Sequence, residues 1–199
     1  MKRLLLLLLV LGLSCGAQAA VIFDNLDASN NGVDSVSAFG PLADSFSTGA
    51  GGFTFASIGL KLQDIGDPSG SFTIQLLADN NINPGSAIYT IATVQDSKLT
   101  DSLQDYFFVL SQPQILAANT RYWIELSSSD GSVANWGWSV DTSGPGVSSE
   151  YFANISGVFT NNNGAYQMQI SDVPEPGTLM MLGTGVVGVF GAVRRRMMM

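Results

Sequence analysis

Short runs in which apolar and polar residues alternate fill the middle of this chain. The apolar members recur at every second residue, which is the period of a β-strand with one buried face. Gly, Asn, Asp, Ser and Pro separate the runs, as turns require. The clearest runs are 72–76, 106–110, 121–126, 136–140 and 166–170, and less regular ones are 20–24, 43–48, 53–63, 86–94, 113–117 and 148–154.

The pattern predicts an all-β fold with no convincing helix in residues 20–172. About ten or eleven short strands in one domain are typical of a β-sandwich, and we expect one of jelly-roll type. In the longest run the phase slips, because Phe53 and Phe55 are odd-numbered whereas the next large apolar residue, Ile58, is even-numbered. A β-bulge near Ala56 would produce that slip.

The first residues of the chain form an apolar run with no alternation. Lys2 and Arg3 precede the apolar residues 4–13, and small residues flank Gln in 17–19. This order of basic, apolar and small residues is that of a secretory signal peptide, which signal peptidase removes. We therefore expect residues 1–19 to be cleaved on export, since the apolar run is short for a bilayer span.

The end of the chain has three parts with different chemistry. Pro174-Glu175-Pro176 interrupts regular structure, because proline fixes the backbone and lacks an N–H. Residues 177–193 are uncharged and mostly apolar, near the lower length limit of a transmembrane helix, and residues 194–196 are all Arg. Basic flanks stay in the cytoplasm. The pattern therefore predicts an exported body, 20–172, followed by a membrane-anchoring segment, 173–199.

These three parts, in this order at the end of a chain, resemble the PEP-CTERM sorting signal of Gram-negative bacteria. The resemblance implies recognition and processing by exosortase, a membrane-embedded transpeptidase-like enzyme. Proteins with this sorting signal are exported, often by bacteria that make exopolysaccharide and biofilm matrix. The resemblance therefore implies that this chain is anchored in the inner membrane before processing. After processing it would be located at the cell surface or in the extracellular matrix. A plain C-terminal anchor is the alternative.

Three stretches of the body resemble a second family. Residues 77–86, 88–91 and 116–126 look like parts of the choice-of-anchor ectodomains of bacterial surface proteins. The resemblance implies an extracellular β-sandwich. It implies no activity, since such domains have no established catalytic residues to transfer to this chain.

Composition excludes several classes of function. The 199 residues include no His and one Cys, Cys15, which lies in the predicted signal peptide. A Ser–His–Asp triad, a Cys–His dyad and a His/Cys zinc site are therefore impossible. A lipoprotein site is the alternative role of Cys15. Residues 20–173 hold three basic and fifteen acidic residues, a net charge of −12, so we expect no nucleic-acid partner.

Oxygen-bearing side chains at alternate positions form a candidate calcium site. Asp79, Asn81 and Asn83 have the spacing of a calcium loop, and Ca²⁺ takes about six to eight oxygen ligands. An EF-hand would need Gly and Glu where this chain has Pro84 and Thr90. The alternative is a turn, which Asp, Asn and Pro-Gly also favour. Acids in Gly-containing loops are further candidate ligands: Asp64, Asp67 and Asp130.

Trp123 is the candidate aromatic contact for a sugar. It alternates onto the polar face with Arg121 and Glu125, away from Tyr122 and its apolar neighbours. An exposed indole offers apolar area that suits the C–H face of a pyranose. The alternative is that a loop covers it. Four other aromatic residues are candidates for the same role, and two of them, Trp136 and Trp138, are expected in the core because they share the face of Val140. The other two are Tyr122 and Tyr151.

Three functions from different classes remain. The first is a non-enzymatic surface or matrix protein whose sandwich binds exopolysaccharide or envelope partners. The second is an exported glycan hydrolase in which body carboxylates such as Glu125 and Glu150 act as the catalytic pair. The third is a passive spacer of the matrix without a ligand. We expect the first, with no catalytic residues and no cofactor other than the candidate calcium.

Overall fold

A computed structural model describes residues 19–66, 69–128 and 130–172 of the chain. These residues form thirteen strands, one short α-helix and two 3₁₀ turns. The elements are β1 (Val21–Asp24), β2 (Gly32–Ser35), α1 (Val36–Phe39), β3 (Leu42–Ser47), β4 (Phe53–Asp64), β5 (Ser71–Asp79), β6 (Pro84–Gln95), β7 (Gln104–Leu116), β8 (Arg121–Ser127), β9 (Ala134–Ser139), β10 (Tyr151–Asn154), β11 (Gly157–Thr160), β12 (Ala165–Tyr166) and β13 (Met168–Asp172), with 3₁₀ turns at Asp96–Lys98 and Asn161–Asn163.

Two antiparallel sheets pack face to face, which confirms the predicted all-β sandwich. The first, here called sheet A, has the order β1-β13-β4-β9-β12, with β7 also paired to β4 and β2 to β9. The second, sheet B, has the order β11-β10-β3-β8-β5-β6. The chain crosses repeatedly from one sheet to the other, so each sheet contains strands from distant parts of the sequence.

The core between the sheets follows the predicted alternation. Its largest fully buried side chains include Phe46 of sheet B and Phe55 and Trp136 of sheet A. The predicted bulge in β4 is present, since the registers with β7 and β13 both shift between Phe55 and Ser57. The bulge lets Phe55 and Ile58 both point inward although their numbers differ in parity.

Several elements differ from the expected ones. The runs 106–110 and 113–117 belong to one strand, β7, which bulges between Val109 and Gln114 where it faces β4. The strands β2 and β11 and the four-residue helix α1 were not predicted. Neither strand has a buried residue, so no apolar alternation marks either of them.

A carboxylate occupies one inward position of sheet B. Asp44 is fully buried on β3, between two apolar inward neighbours. Its Oδ2 accepts the backbone N–H of Tyr166 at 2.7 Å and its Oδ1 accepts Nδ2 of Asn161 at 3.0 Å, which joins β3 to β12 of the other sheet. Burial raises the pKa of Asp44 well above its ordinary value, and the nearby Glu150 carboxylate adds to this.

Candidate functional site

The three residues predicted to contact a glycan lie on the outer face of sheet B, as the alternation indicates. Arg121, Trp123 and Glu125 point away from the core, whereas the intervening side chains of β8 are buried in it. Trp123 lies between Ser45 of β3 and Leu77 of β5 in the strand register, and Glu125 lies between Ala43 and Gln75. The contacts of the three side chains nevertheless differ.

Trp123 is fully buried, which corrects its assignment as a sugar-stacking residue. It forms a small outer cluster with Ala43, Leu77 and Ala153, against which Tyr151 and Val158 pack. Its indole Nε1–H donates to Oδ1 of Asp79 at 2.8 Å. A ring with 0% exposure has no face for a pyranose, so Trp123 supports the sheet. The alternative interpretation of the sequence was that neighbouring residues cover the indole ring, and the ring is covered.

Arg121 is held beside this cluster by a buried carboxylate. Its Nε lies 2.7 Å from Oε2 of Glu150, and the side chains of Arg121 and Glu150 are 23% and 1% exposed. The hydroxyl of Ser45 donates to the same oxygen at 2.6 Å. The cation and the hydroxyl together stabilise a carboxylate whose charged form burial would otherwise disfavour. The Arg121 side chain is still partly in contact with solvent.

Tyr151 is the aromatic ring that the structure places at the surface beside Arg121. The guanidinium carbon of Arg121 lies 4.9 Å from the ring centroid, within cation–π distance. The backbone N–H of Tyr151 donates to Ser45 Oγ at 2.9 Å, which anchors the start of β10. Arg121 and Tyr151 thus form a fixed, partly exposed pair. Sequence reasoning could not pair them, because they are thirty residues apart on strands that are not neighbours in the sheet.

Glu125 is half-buried on the same face, two positions along β8 from Trp123. Partial burial raises the pKa of its carboxyl group. Its cross-strand neighbour Gln75 donates through Nε2 to the hydroxyl of Thr90 at 3.3 Å. Glu125, Gln75 and Thr90 therefore form a row of polar groups across β8, β5 and β6. Such a row offers donors and acceptors to a ligand lying on the sheet.

The two glutamates of the hydrolase hypothesis have different surroundings. Glu150 is buried and bonded to Arg121 and Ser45, whereas Glu125 is partly open to solvent. A glycosidase needs both carboxyl groups at the scissile bond. The contacts of Glu150 in the described part of the chain are therefore those of a structural ion pair. The hydrolase remains an untested alternative.

Asn81 and Asn83 lie in the tight turn between β5 and β6, and Asp79 is the last residue of β5 before it. Asn80 and Asn83 exchange backbone hydrogen bonds of 2.9 and 3.2 Å, and Asn81 and Ile82 between them have φ of 53° and 62°. These are features of a type I′ hairpin. The turn centre is therefore Asn-Ile, and Pro84-Gly85 begins β6 instead of forming the turn.

The oxygens of Asp79 already have protein partners in this turn. Oδ1 accepts the Trp123 indole and Oδ2 accepts the backbone N–H of Ile82 at 3.3 Å. In the residues that the structure describes, no group of three or more His, Cys, Asp or Glu lies close enough to hold a metal ion. Calcium binding here remains a prediction.

One acidic pocket lies elsewhere, on the sheet A side of the sandwich. Its volume is about 250 Å³, and its carboxylates come from Asp24, Asp27 and Asp141. The carboxylate of Asp24 accepts hydrogen bonds from the side-chain amide of Gln169 and from the backbone N–H of Leu26. Hydrogen bonds from Ser143 lower the pKa of Asp141. Two of the three carboxylates that line the pocket, Asp24 and Asp141, therefore already accept hydrogen bonds from protein groups.

The comparison with protein families concerns the end of the chain. Residues 172–196 match the model described as the PEP-CTERM protein-sorting motif. The match spans Pro174, Glu175, Pro176 and the basic residues 194–196, and it supports an exported protein that exosortase sorts. A comparison with curated proteins gives no match. The resemblance of the body to choice-of-anchor domains is not confirmed by a family match.

Residues 173–196 of the matched motif, which include the predicted span 177–193, lie outside the described residues, as do residues 1–18 of the predicted signal peptide. None of the helices in the described part of the chain has the length and apolar character that a membrane crossing needs. The motif itself implies export and membrane anchoring before processing.

Proposed function

We propose that this chain is an exported surface or matrix protein, processed at its C-terminus by exosortase, whose sandwich is a non-catalytic binding module. The observation that carries the proposal is the sorting-motif match, which begins at Asp172, the last residue of β13. The folded domain thus ends where the sorting segment starts. The sandwich is the part of the chain that processing would deliver outside the cell.

The ligand that suits the outer face of sheet B is a neutral polysaccharide. The row formed by Glu125, Gln75 and Thr90 offers carboxylate, amide and hydroxyl groups to sugar hydroxyls. The Arg121–Tyr151 pair adds a cation and part of an aromatic surface four residues away along β8. The body carries a net charge of −12. Acidic polymers would therefore be repelled unless Ca²⁺ bridged the two.

Binding of exopolysaccharide from the producing strain to the purified protein tests this role. Gln75→Ala with Glu125→Ala removes two hydrogen-bonding side chains from the row and should weaken binding about tenfold, since two lost hydrogen bonds are worth roughly 1–2 kcal/mol. Gln104→Ala, an exposed amide on β7 in the other sheet, is the matched control. Equal binding by all three proteins would contradict the proposed face.

A glycan hydrolase is the second candidate, because burial raises the pKa of Glu125 and a general acid needs such a shift. Release of reducing ends from the same polysaccharide distinguishes the two roles. Glu125→Gln should abolish that release if the protein is a hydrolase. Absence of both binding and release, with and without Ca²⁺, would favour a passive spacer.

The intact mass of the protein from its native envelope tests sorting directly. A chain that begins at Ala20 and ends near Pro176 has lost both targeting segments, and additional mass would identify the new anchor. A chain that still ends at Met199 would contradict processing by exosortase.

A further inference from the structure

One of the three tryptophans has an indole N–H that no protein group accepts. The rings of Trp123 and Trp136 are fully buried, and their Nε1–H groups donate to Oδ1 of Asp79 and to the carbonyl oxygen of Gln167. Trp138 is only partly buried, at the margin of the core. Its Nε1 has no hydrogen-bond partner among the described residues and is not one of their buried unpaired atoms. The N–H of Trp138 is therefore a donor that reaches solvent.

Two glycines keep side chains away from the Trp138 indole. Gly32 of β2 is its cross-strand partner, and a Cβ at that position would lie 2.7 Å from Cζ2 of the ring. Gly164 precedes β12, and a Cβ there would lie 3.2 Å from Cε3 at the other side of the indole. A larger residue at either position would press against the ring. Glycine in a strand often marks a place where a ligand approaches closely.

A carboxylate with one unused oxygen lies on the same face of sheet A. Asp34 follows Gly32 by two residues on β2 and is paired with Trp136, so its side chain shares the face of Trp138. Its Oδ2 accepts the hydroxyl of Tyr166 at 2.7 Å, which fixes the carboxylate. Oδ1 accepts no hydrogen bond from the part of the chain that the structure describes, and it is not buried there. Two residues along a strand span about 7 Å, so one small ligand could contact both groups.

We infer that Trp138 and Asp34 form a second saccharide site, which takes one neutral pyranose. The C–H face of the sugar packs against the indole. One hydroxyl accepts the Nε1–H of Trp138, and another donates to Oδ1 of Asp34. The inference deepens the proposed function, because it gives the polysaccharide a site of its own on sheet A. It does not depend on the polar row on the outer face of sheet B.

A neutral sugar suits these groups better than an acidic sugar or a basic peptide. Residues 28–40 and 134–171, which contain the strands around the site, include no Lys or Arg. An acidic sugar would therefore meet the carboxylate of Asp34 without a compensating cation. A Lys or Arg side chain would suit that carboxylate, but it has no acceptor for the N–H of Trp138. A sugar hydroxyl both donates and accepts, so a neutral pyranose satisfies both groups.

Acrylamide quenching of tryptophan fluorescence follows this site in the full chain from Ala20 to Met199, in a zwitterionic detergent without a sugar group. Trp123 and Trp136 have 0% exposure, so quenching reports mainly on Trp138. The probes are neutral and acidic oligosaccharides from partial hydrolysis of the exopolysaccharide of the producing strain. We expect the neutral fraction to reduce quenching several-fold and the acidic fraction to leave it unchanged. Equilibrium dialysis of the labelled neutral fraction gives its dissociation constant.

Two conservative variants test the assigned groups by dialysis. Trp138→Phe keeps an aromatic ring but removes the N–H, and Asp34→Asn keeps an acceptor for Tyr166 but replaces the other oxygen by an amide nitrogen. Each should weaken binding about fivefold, since each removes one hydrogen bond. Asp101→Asn, an exposed carboxylate outside β2 and β9, is the matched control and should bind like the wild type. Thermal unfolding of each variant verifies that it is folded.

The outcomes separate this site from the proposed face of sheet B. The variant with Gln75→Ala and Glu125→Ala should still show protection of Trp138 by the neutral fraction. Unchanged dissociation constants in Trp138→Phe and Asp34→Asn, with weaker binding in that double variant, would overturn the second site and leave the face of sheet B. Protection by a lysine-rich peptide but by no saccharide would overturn the ligand class. Absence of any saccharide binding by the wild type would overturn both sites.

Discussion

The buried carboxylate of Asp44 should make this protein less stable as the pH rises. Its folded-state pKa lies well above the ordinary value of 3.8 because burial penalises the charged form. Between these two values the folded state keeps a proton that the unfolded state has lost. The free energy of unfolding therefore falls with pH in this window, by up to about 1.36 kcal/mol per pH unit for one proton. Below pH 3.8 this contribution is fully present, and above the folded pKa the slope disappears.

Asp44→Asn isolates this contribution. The new amide keeps an oxygen for the backbone N–H of Tyr166, and its NH₂ group brings two N–H donors into a site that already holds one acceptor. Oδ1 of Asn161 is buried without a hydrogen-bond partner among the described residues, and a rotation of that amide would present this oxygen. We therefore expect a stable variant whose unfolding free energy lacks the Asp44 slope. Asp44→Ala, by contrast, leaves two donors unpaired, at roughly 1–3 kcal/mol each.

Urea unfolding of the wild type and of Asp44→Asn between pH 4 and pH 8 measures the difference. The exposed carboxylates Asp130 and Asp141, whose pKa values are lowered by local hydrogen bonds, contribute equally to both proteins and cancel. Glu125 contributes with the same sign as Asp44 and cancels as well. Parallel curves for the two proteins across the whole range would refute the reasoning.

Three substitutions test other parts of the structure. Ile82→Gly relieves the strained turn and should raise the free energy of unfolding by about 1 kcal/mol in urea unfolding; a loss would show that Ile82 packs favourably. Arg121→Ala leaves Glu150 buried without its cation and should cost about 3 kcal/mol, measured in the same way; an unchanged value would mean that Ser45 alone satisfies the carboxylate. Trp123→Phe removes the hydrogen bond to Asp79 and should cost about 1 kcal/mol beyond its smaller volume, which the double-mutant cycle with Asp79→Ala would measure; additive effects in that cycle would contradict the bond.

Local alternation predicted which face of a strand each side chain occupies. It placed Phe55 and Ile58 in the core on either side of a bulge and Trp123 on the outer face of β8. It did not predict that Trp123 is buried, because its cover comes from Leu77 and Tyr151, on strands far away in sequence. Burial on an outer face depends on long-range packing, which has no local signal.

The polar network around Asp44 was missed for a related reason. Asp44 has the parity of an inward residue, so its position was visible in the sequence. The partners that make its burial tolerable were not, since Asn161 and Tyr166 follow it by more than a hundred residues. The sorting motif is the opposite case. Its information is linear, because order and spacing along the chain define it, and the family match covers the same residues.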